Sequence, residues 1–233
     1  MWLLLAATQG CSSPSVSSDR FVNSLKGQLL FEDFSSKDGT WYVMDFSRSA
    51  EVRQIDVPKT ISETLGLSPD GNMNALQVGA TVDGQWVSKG IQVVDTRTGQ
   101  LIFDFAESSA TEPAWSLDSS RLAFVANLAS GEYSGGTIKG MYSDVFYVDL
   151  RSKTHAIVNV TETSRFSKIP APLTELGGIS IYNPIWSPDG KAIASVWHQD
   201  DGETIWVASV DGNDWARLVG GTGHEYRLVE WRP

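Results

Sequence analysis

Cysteine is nearly missing from this sequence of 233 residues: Cys11 is the single one, so no intrachain disulfide and no multi-cysteine metal site can form. Histidine is almost as scarce. His155, His198 and His224 are widely separated and show no H-x-x-x-H or equivalent ligand spacing. Positive charge is in deficit as well, with 18 Lys and Arg against 28 Asp and Glu for a formal net charge of −10. That balance argues against nucleic acid, whose phosphates need a basic face. Long apolar runs are also lacking, since Trp2-Leu3-Leu4-Leu5-Ala6-Ala7 falls far short of the ~20 residues of a membrane-spanning helix. Nucleophile elbows of the G-x-S-x-G type, P-loops and Rossmann glycine patterns do not occur. No complete catalytic or metal-binding motif remains, and the expectation is a protein that is not an enzyme.

What the chain does hold is aromatic residues, nine Trp, nine Phe and six Tyr, within a 41% hydrophobic composition. A disordered or collagen-like chain is excluded, and the length suits one domain with a sizeable core. The apolar start runs into Thr8-Gln9-Gly10-Cys11 and then Ser12-Ser13-Pro14-Ser15-Val16-Ser17-Ser18. This order resembles a bacterial lipoprotein lipobox, in which the cysteine thiol is lipidated. Thr8 stands where that family usually has Leu, Val or Ile, and no Lys or Arg precedes the apolar run, which points to a true start upstream. Residues 1–11 are therefore expected to be a signal and lipobox remnant with Cys11 as the lipidation site, and 12–24 a flexible tether. Contact with the membrane would be through that lipid alone.

From Gly27 onward, short β-rich runs alternate with Gly, Asp, Ser and Pro, and no long stretch has a 3.6-residue apolar period. One motif recurs: Leu67-Ser68-Pro69-Asp70-Gly71, Trp115-Ser116-Leu117-Asp118-Ser119, Trp186-Ser187-Pro188-Asp189-Gly190 and Trp231-Arg232-Pro233. Successive serine or aligned positions lie 48, 71 and 45 residues apart, so two of the intervals match the ~40–50-residue period of propeller blades and the middle one carries an insertion. Each internal turn ends one strand and starts a hairpin, with Pro setting φ and Gly supplying positive φ. Ala75–Ala80, Arg121–Ala126 and Lys191–Trp197 follow as second strands; Ile91–Asp95, Val145–Asp149 and Ile205–Ser209 as third; Gln100–Phe103, His155–Val158 and Trp215–Val219 as fourth. Four strands per repeat make a blade.

The order of W-S-P-D-G, apolar strand, aromatic-rich strand and D-G turn resembles the TolB-type β-propeller repeat, which is related to WD-type repeats. The resemblance covers about residues 27–233. It implies a propeller, often periplasmic. Propellers of this kind also gate prolyl oligopeptidases, whose serine-hydrolase domain would have to be a separate chain here.

The expected fold class is all-β, a β-propeller of four-stranded antiparallel blades, four of them, closed by the C-terminal strand. The domain spans 25–233, with blades at 25–64 plus 225–233, 65–110, 111–161 and 183–224. Gln28–Phe34, Thr40–Asp45 and Val52–Ile55 read as a blade lacking its inner strand, and Tyr226–Trp231 reads as an inner strand with no blade after it. Pairing the two would remove exposed edges. The alternative is a truncated piece of a larger propeller belonging to an enzyme or assembly.

Two insertions break the repeat, Ala129–Tyr142 with Tyr133 and Tyr142, and Glu162–Tyr182 with Lys168. Loop insertions on a rigid scaffold are common recognition sites, so Tyr133, Tyr142 and Lys168 are candidate binding residues. Inner strands surround the channel of a propeller, which makes Glu112, Asn183 and Glu230 candidate ligand contacts, with Ca²⁺ as the cation that converging carboxylates would suit. Turn and capping roles compete for the same residues, and the Asp70, Asp118 and Asp189 carboxylates read as turn residues. Trp41, Trp115, Trp186, Trp206 and Trp231 fall at repeated strand positions suited to packing between blades, whereas Trp86 and Trp215 fit the frame less well and are candidates for exposed contacts. The expected function is a non-catalytic, TolB-like scaffold of the periplasm or outer envelope that binds a protein partner there. The competing expectation is a propeller that binds a glycan, small ligand or cation.

Overall fold

The structure, a computed structural model, describes residues 16–36, 39–56, 66–106, 110–128, 132–133, 136–137, 142–161, 180–199 and 202–233. In chain order these hold helix α1 (Val16–Ser24) and strands β1 (Gln28–Asp33), β2 (Thr40–Asp45), β3 (Glu51–Ile55), β4 (Met73–Val82), β5 (Gln85–Asp95), β6 (Leu101–Phe105), β7 (Thr111–Trp115), β8 (Arg121–Leu128), β9 (Glu132–Tyr133), β10 (Gly136–Thr137), β11 (Tyr142–Asp149), β12 (Ile157–Asn159), β13 (Ser180–Trp186), β14 (Ala192–Gln199), β15 (Gly202–Ser209), β16 (Trp215–Thr222) and β17 (Tyr226–Arg232). Three sheets are four-stranded: β17-β1-β2-β3 (sheet I), β7-β8-β11-β12 (sheet III) and β13-β14-β15-β16 (sheet IV). Sheet II contains β4-β5-β6, and a bridge from Leu67 to Asn74 continues its inner edge. Residues 57–65, which precede that bridge, lie outside the described part. All pairings are antiparallel, and the repeated sheets stack face to face as propeller blades do.

Period-2 alternation decides which sheets can stack. In sheet IV, Ala194 and Val196 of β14 and Ile205 and Val207 of β15 face sheet I, where they meet Leu29, Phe31, Met44 and Leu228. Ile193 and Trp197, from the alternate positions of β14, face sheet III and meet Ala123, Val125 and Val145. Sheet III in turn covers sheet II through Leu122, Phe124 and Phe146 against Ala75, Val93 and Phe103. A side chain of this size contributes about 1.5–3 kcal/mol when fully buried, and β8 and β14, each covered on both faces, carry such side chains on both sides.

The turn that joins the strands is built the same way four times. Ser68, Ser116, Ser187 and Ser209 donate their hydroxyls to Asp70, Asp118, Asp189 and Asp211 at 2.7, 2.7, 2.8 and 2.5 Å. The same hydroxyls accept the backbone N–H groups of Met73, Arg121, Ala192 and Asp214 at 2.9, 2.9, 2.9 and 3.0 Å. Spacing identifies the first three, while the fourth closes a third strand and was readable only as a D-G turn. These bonds hold the Asp70 carboxyl down to about 2, Ser68 foremost. At Asp118 burial works the other way but is outweighed by Ser120 and Ser116, and the carboxyl also falls to about 2.

Tryptophans tie each inner strand to its neighbour. Trp115 Nε1–H donates to the Gly66 carbonyl at 2.8 Å and Trp186 Nε1–H to the Ala114 carbonyl at 3.0 Å. Trp231 donates to Lys26 at 2.9 Å instead, which fastens the last strand to the start of the first. Leu67, at the aligned position of sheet II, has no donor and is 40% exposed.

Three expectations change. Residues 16–24, within the stretch expected as tether, form α1, and Phe21, Val22 and Leu25 pack on the core between sheets I and IV. Tyr182 and Tyr142, expected inside insertions, belong to strands: β13 starts at Ser180 with Ile181 opposite Trp197, and Tyr142 opens β11 opposite Leu128. A register shift between Tyr182 and Ile185 conceals the continuity of β13. Trp215 is packed edge-on against Trp197 at 5.7 Å and donates to the Gly212 carbonyl at 3.2 Å, so it serves the core. The Trp86 side chain lies outside the described part.

Candidate recognition face

Antiparallel registers sort the connections onto two ends of the blades. The Ser-x-Asp turns after Leu67, Trp115 and Trp186, and the turn after Ser209, share one end. At the other end stand the tip of the β1–β2 hairpin, the Val82–Gln85 tip, the Leu128 and Tyr142 flanks of the first insertion, and the Gln199–Gly202 tip. The second insertion leaves and rejoins there too. Val160 and Thr161 bond to Val145 at its near flank, by Val160 N–H to the Val145 carbonyl at 2.8 Å and Val145 N–H to Thr161 Oγ1 at 2.7 Å. At its far flank, the Ser143 hydroxyl donates to the Ile181 carbonyl at 2.9 Å. The two flanks therefore sit side by side on β11.

Among the described inner strands, β7 and β13 bulge at matching places. Glu112 and Asn183 are aligned three residues before Trp115 and Trp186, and both sit at positive φ, 56° and 55°. Their side chains reach the next blade: the Glu112 carboxylate accepts the Asn183 backbone N–H, and Asn183 Oδ1 accepts the Leu228 N–H at 2.5 Å. Sheets III, IV and I are thereby linked in series around their inner strands. Desolvation raises the Glu112 carboxyl and the Asn183 N–H offsets part of that rise. Glu230 is exposed on β17 opposite Leu30, and among the described residues no hydrogen bond joins it to Glu112 or Asn183. Tyr133 lies in the short β9–β10 ladder opposite Gly136. Lys168 and Cys11 fall outside the described residues.

A second group was not foreseen. Glu203, 5% exposed on β15, takes the Tyr182 hydroxyl and the His198 imidazole on one oxygen and the Tyr226 backbone N–H on the other. Burial, then the bond and charge of Glu203, push the Tyr182 hydroxyl well above its ordinary value. Burial and the Asp33 charge push Tyr226 up to about 12. A signal for Glu203 was present: it shares a strand face with Ile205 and Val207, which period 2 sends into the core.

Chemically, the face offers hydrogen-bonding and aromatic groups. Among the described residues no group of three His, Cys, Asp or Glu is placed to hold a metal ion, and neither His198 nor His224 has a serine bonded to its ring. No described helix is long and apolar enough to cross a membrane.

No family model and no curated protein matches this sequence. Among solved structures, it is similar to a protein described as TolB from Agrobacterium tumefaciens, at 18% identity and a TM-score of 0.43 over 84% of this chain and 58% of that one. TolB from Acinetobacter baumannii matches at 17% identity and a TM-score of 0.42, over 83% of this chain and 42% of the other. A prolyl endopeptidase matches at 17% identity and 0.47, over 91% of this chain and 30% of its own. The chain thus spans between about a third and three fifths of these proteins, and at such scores neither kind of name carries over to it.

Proposed function

We propose that this chain is a non-catalytic β-propeller of the bacterial envelope that binds a protein partner through the end of the blades where both insertions open. The carrying observation is the sorting of connections: tight, internally bonded Ser-x-Asp turns occupy one end, and both insertions leave from the other. Insertions on a rigid scaffold are common recognition sites, and both depart from that end. Tyr133, Tyr142 and Lys168 are the contact residues in this reading, while Glu112 and Asn183 hold the blades beneath them.

In the same reading the ring is closed. Leu30, Val43 and Trp41, on the face of sheet I turned away from sheet IV, are buried at 3%, 0% and 6% exposure, as a blade packed there would make them. The lipobox-like Thr8-Gln9-Gly10-Cys11 supports a lipid anchor at Cys11 and a periplasmic or outer-envelope location.

Affinity capture from crosslinked bacterial envelope extract tests the proposal, with the tagged chain as bait. The control replaces 129–141 and 162–179 by Gly-Ser segments of equal length. Recovery of one protein in near-equal amount, lost with the control, is the expected result. Equal capture by both baits would overturn it.

A further inference from the structure

Two devices join neighbouring inner strands, and each recurs at matching positions. The residue three before the tryptophan hands an acceptor forward: Glu112 takes the Asn183 N–H, and Asn183 takes the Leu228 N–H. The tryptophan itself reaches back, Trp115 to the Gly66 carbonyl and Trp186 to the Ala114 carbonyl. In a closed ring sheet I is followed by sheet II, and there the residue types stop both devices. Leu228, three before Trp231, has no acceptor in its side chain and is buried against sheet IV. Leu67, at the tryptophan's place in sheet II, has no donor. Packing changes as well. Between sheets III and IV, Ala123, Val145, Ile193 and Trp197 are at most 2% exposed. On the face of sheet II turned away from sheet III, Leu76 follows the inward Ala75, and Leu101 stands opposite Val94, which follows the inward Val93. These two leucines are 39% and 49% exposed.

We propose that the junction of sheets I and II is a seam, at which the propeller opens while sheets II, III, IV and I stay joined in series. The proposal rests on the closed ring of the preceding subsection, in which sheets I and II are neighbours. Local opening follows the least secured set of contacts, and a junction without either inter-strand link and with partly exposed leucines is that set.

The other three junctions carry further bonds. Sheets II and III are tied by the Asp70 N–H to Ser119 Oγ at 3.0 Å and by Ser88 Oγ to the Ala110 carbonyl at 2.8 Å. Sheets III and IV share the Ser143 bond to Ile181, and the Arg121 guanidinium lies 4.5 Å from the centre of the Trp186 ring. Sheets IV and I are tied by Glu203 accepting the Tyr226 N–H. The β17–β1 ladder lies within sheet I, so opening at the seam leaves it whole. The β1–β2 and Val82–Gln85 tips stand on the two sides of the seam, at the end from which the insertions leave. Opening therefore moves those tips apart and changes the width of the binding end.

Thiol-labelling kinetics of the full chain test this, in a Cys11→Ser background with one cysteine introduced at a time. Val43→Cys reports the face of sheet I turned away from sheet IV, and Val145→Cys the packing of sheets III and IV; the native side chains are 0% and 1% exposed. Residue 43 is expected to label roughly tenfold faster than residue 145, the scale of two missing hydrogen-bond links. Its rate should also depend less on urea, because local opening exposes less surface than unfolding. Adding Leu67→Trp should slow labelling at 43 more than at 145. Should Val43→Cys fail to fold, as its urea midpoint would reveal, Leu30→Cys on the same face takes its place. Labelling at 43 no faster than at 145 would overturn the seam and leave the closed ring standing. Fast labelling at 43 that Leu67→Trp does not slow would overturn both, since sheet II would then not be what covers Val43.

Discussion

Asn183 accepts the backbone N–H of Leu228 on its side-chain oxygen while giving its own backbone N–H to Glu112. One residue thus joins three blades, and it does so from a left-handed backbone conformation, φ 55°, which Asn tolerates better than most residues. The bulge in β13 turns both of its polar groups along the inner ring and away from the sheet ladder.

Replacing Asn183 by Ala removes the acceptor for Leu228 and leaves a less tolerant residue at positive φ. The expected cost is about 1–3 kcal/mol, read as a lower urea midpoint. Asn183→Gly relieves the backbone but loses the same bond, so it should fall between the two. Equal stability of all three would mean that the inter-blade link contributes nothing.

Glu203 holds Tyr182, His198 and the start of β17 from a buried position. Glu203→Ala strands the Tyr182 hydroxyl and the Tyr226 N–H, at a cost of about 2–4 kcal/mol in unfolding free energy. Glu203→Gln retains acceptor oxygen and should cost less. The order of the two variants in chemical denaturation is the check.

Leu67 occupies the place where Trp115 and Trp186 each donate to a neighbouring inner strand. If sheets II and I adjoin, Leu67→Trp gains the matching acceptor on β17 and stabilises by about 1 kcal/mol, seen as a raised denaturation midpoint. An unchanged or lowered midpoint would argue that the ring is open at this junction.

Asp33, Asp70 and Asp118 have lowered folded pKa values, about 2 for Asp70 and Asp118. A depressed carboxyl contributes stability that is present above its unfolded pKa near 4 and is lost as pH falls through the folded value. Stability should therefore decline from about pH 4 toward pH 2, and Asp70→Asn with Asp118→Asn should flatten that decline. Glu112 has the opposite sign: its raised carboxyl disfavours the fold when charged, so Glu112→Gln should lose no stability at pH 7. Urea midpoints measured across pH, in the parent and both variants, decide these expectations.

The repeat, the all-β character and the Ser-x-Asp turns were legible in the sequence because each is written within a few residues: period-2 alternation in a strand, or a serine and an aspartate two apart. The sequence by itself therefore determined what a blade is and where its hairpins turn. Tertiary structure alone decided how the blades use their polar residues. His224 meets Asp33 from 191 positions away, and Asn183 meets Glu112 from 71, distances over which no local pattern constrains a partner. Glu112 and Asn183 have the residue types of a channel site, yet with the blades stacked they serve as acceptors for the backbone N–H groups of Asn183 and Leu228 on the next inner strand. Likewise, Phe21 and Val22 leave the expected tether and fold into α1 because the groove between sheets I and IV offers them an apolar surface, which exists only once both sheets have packed.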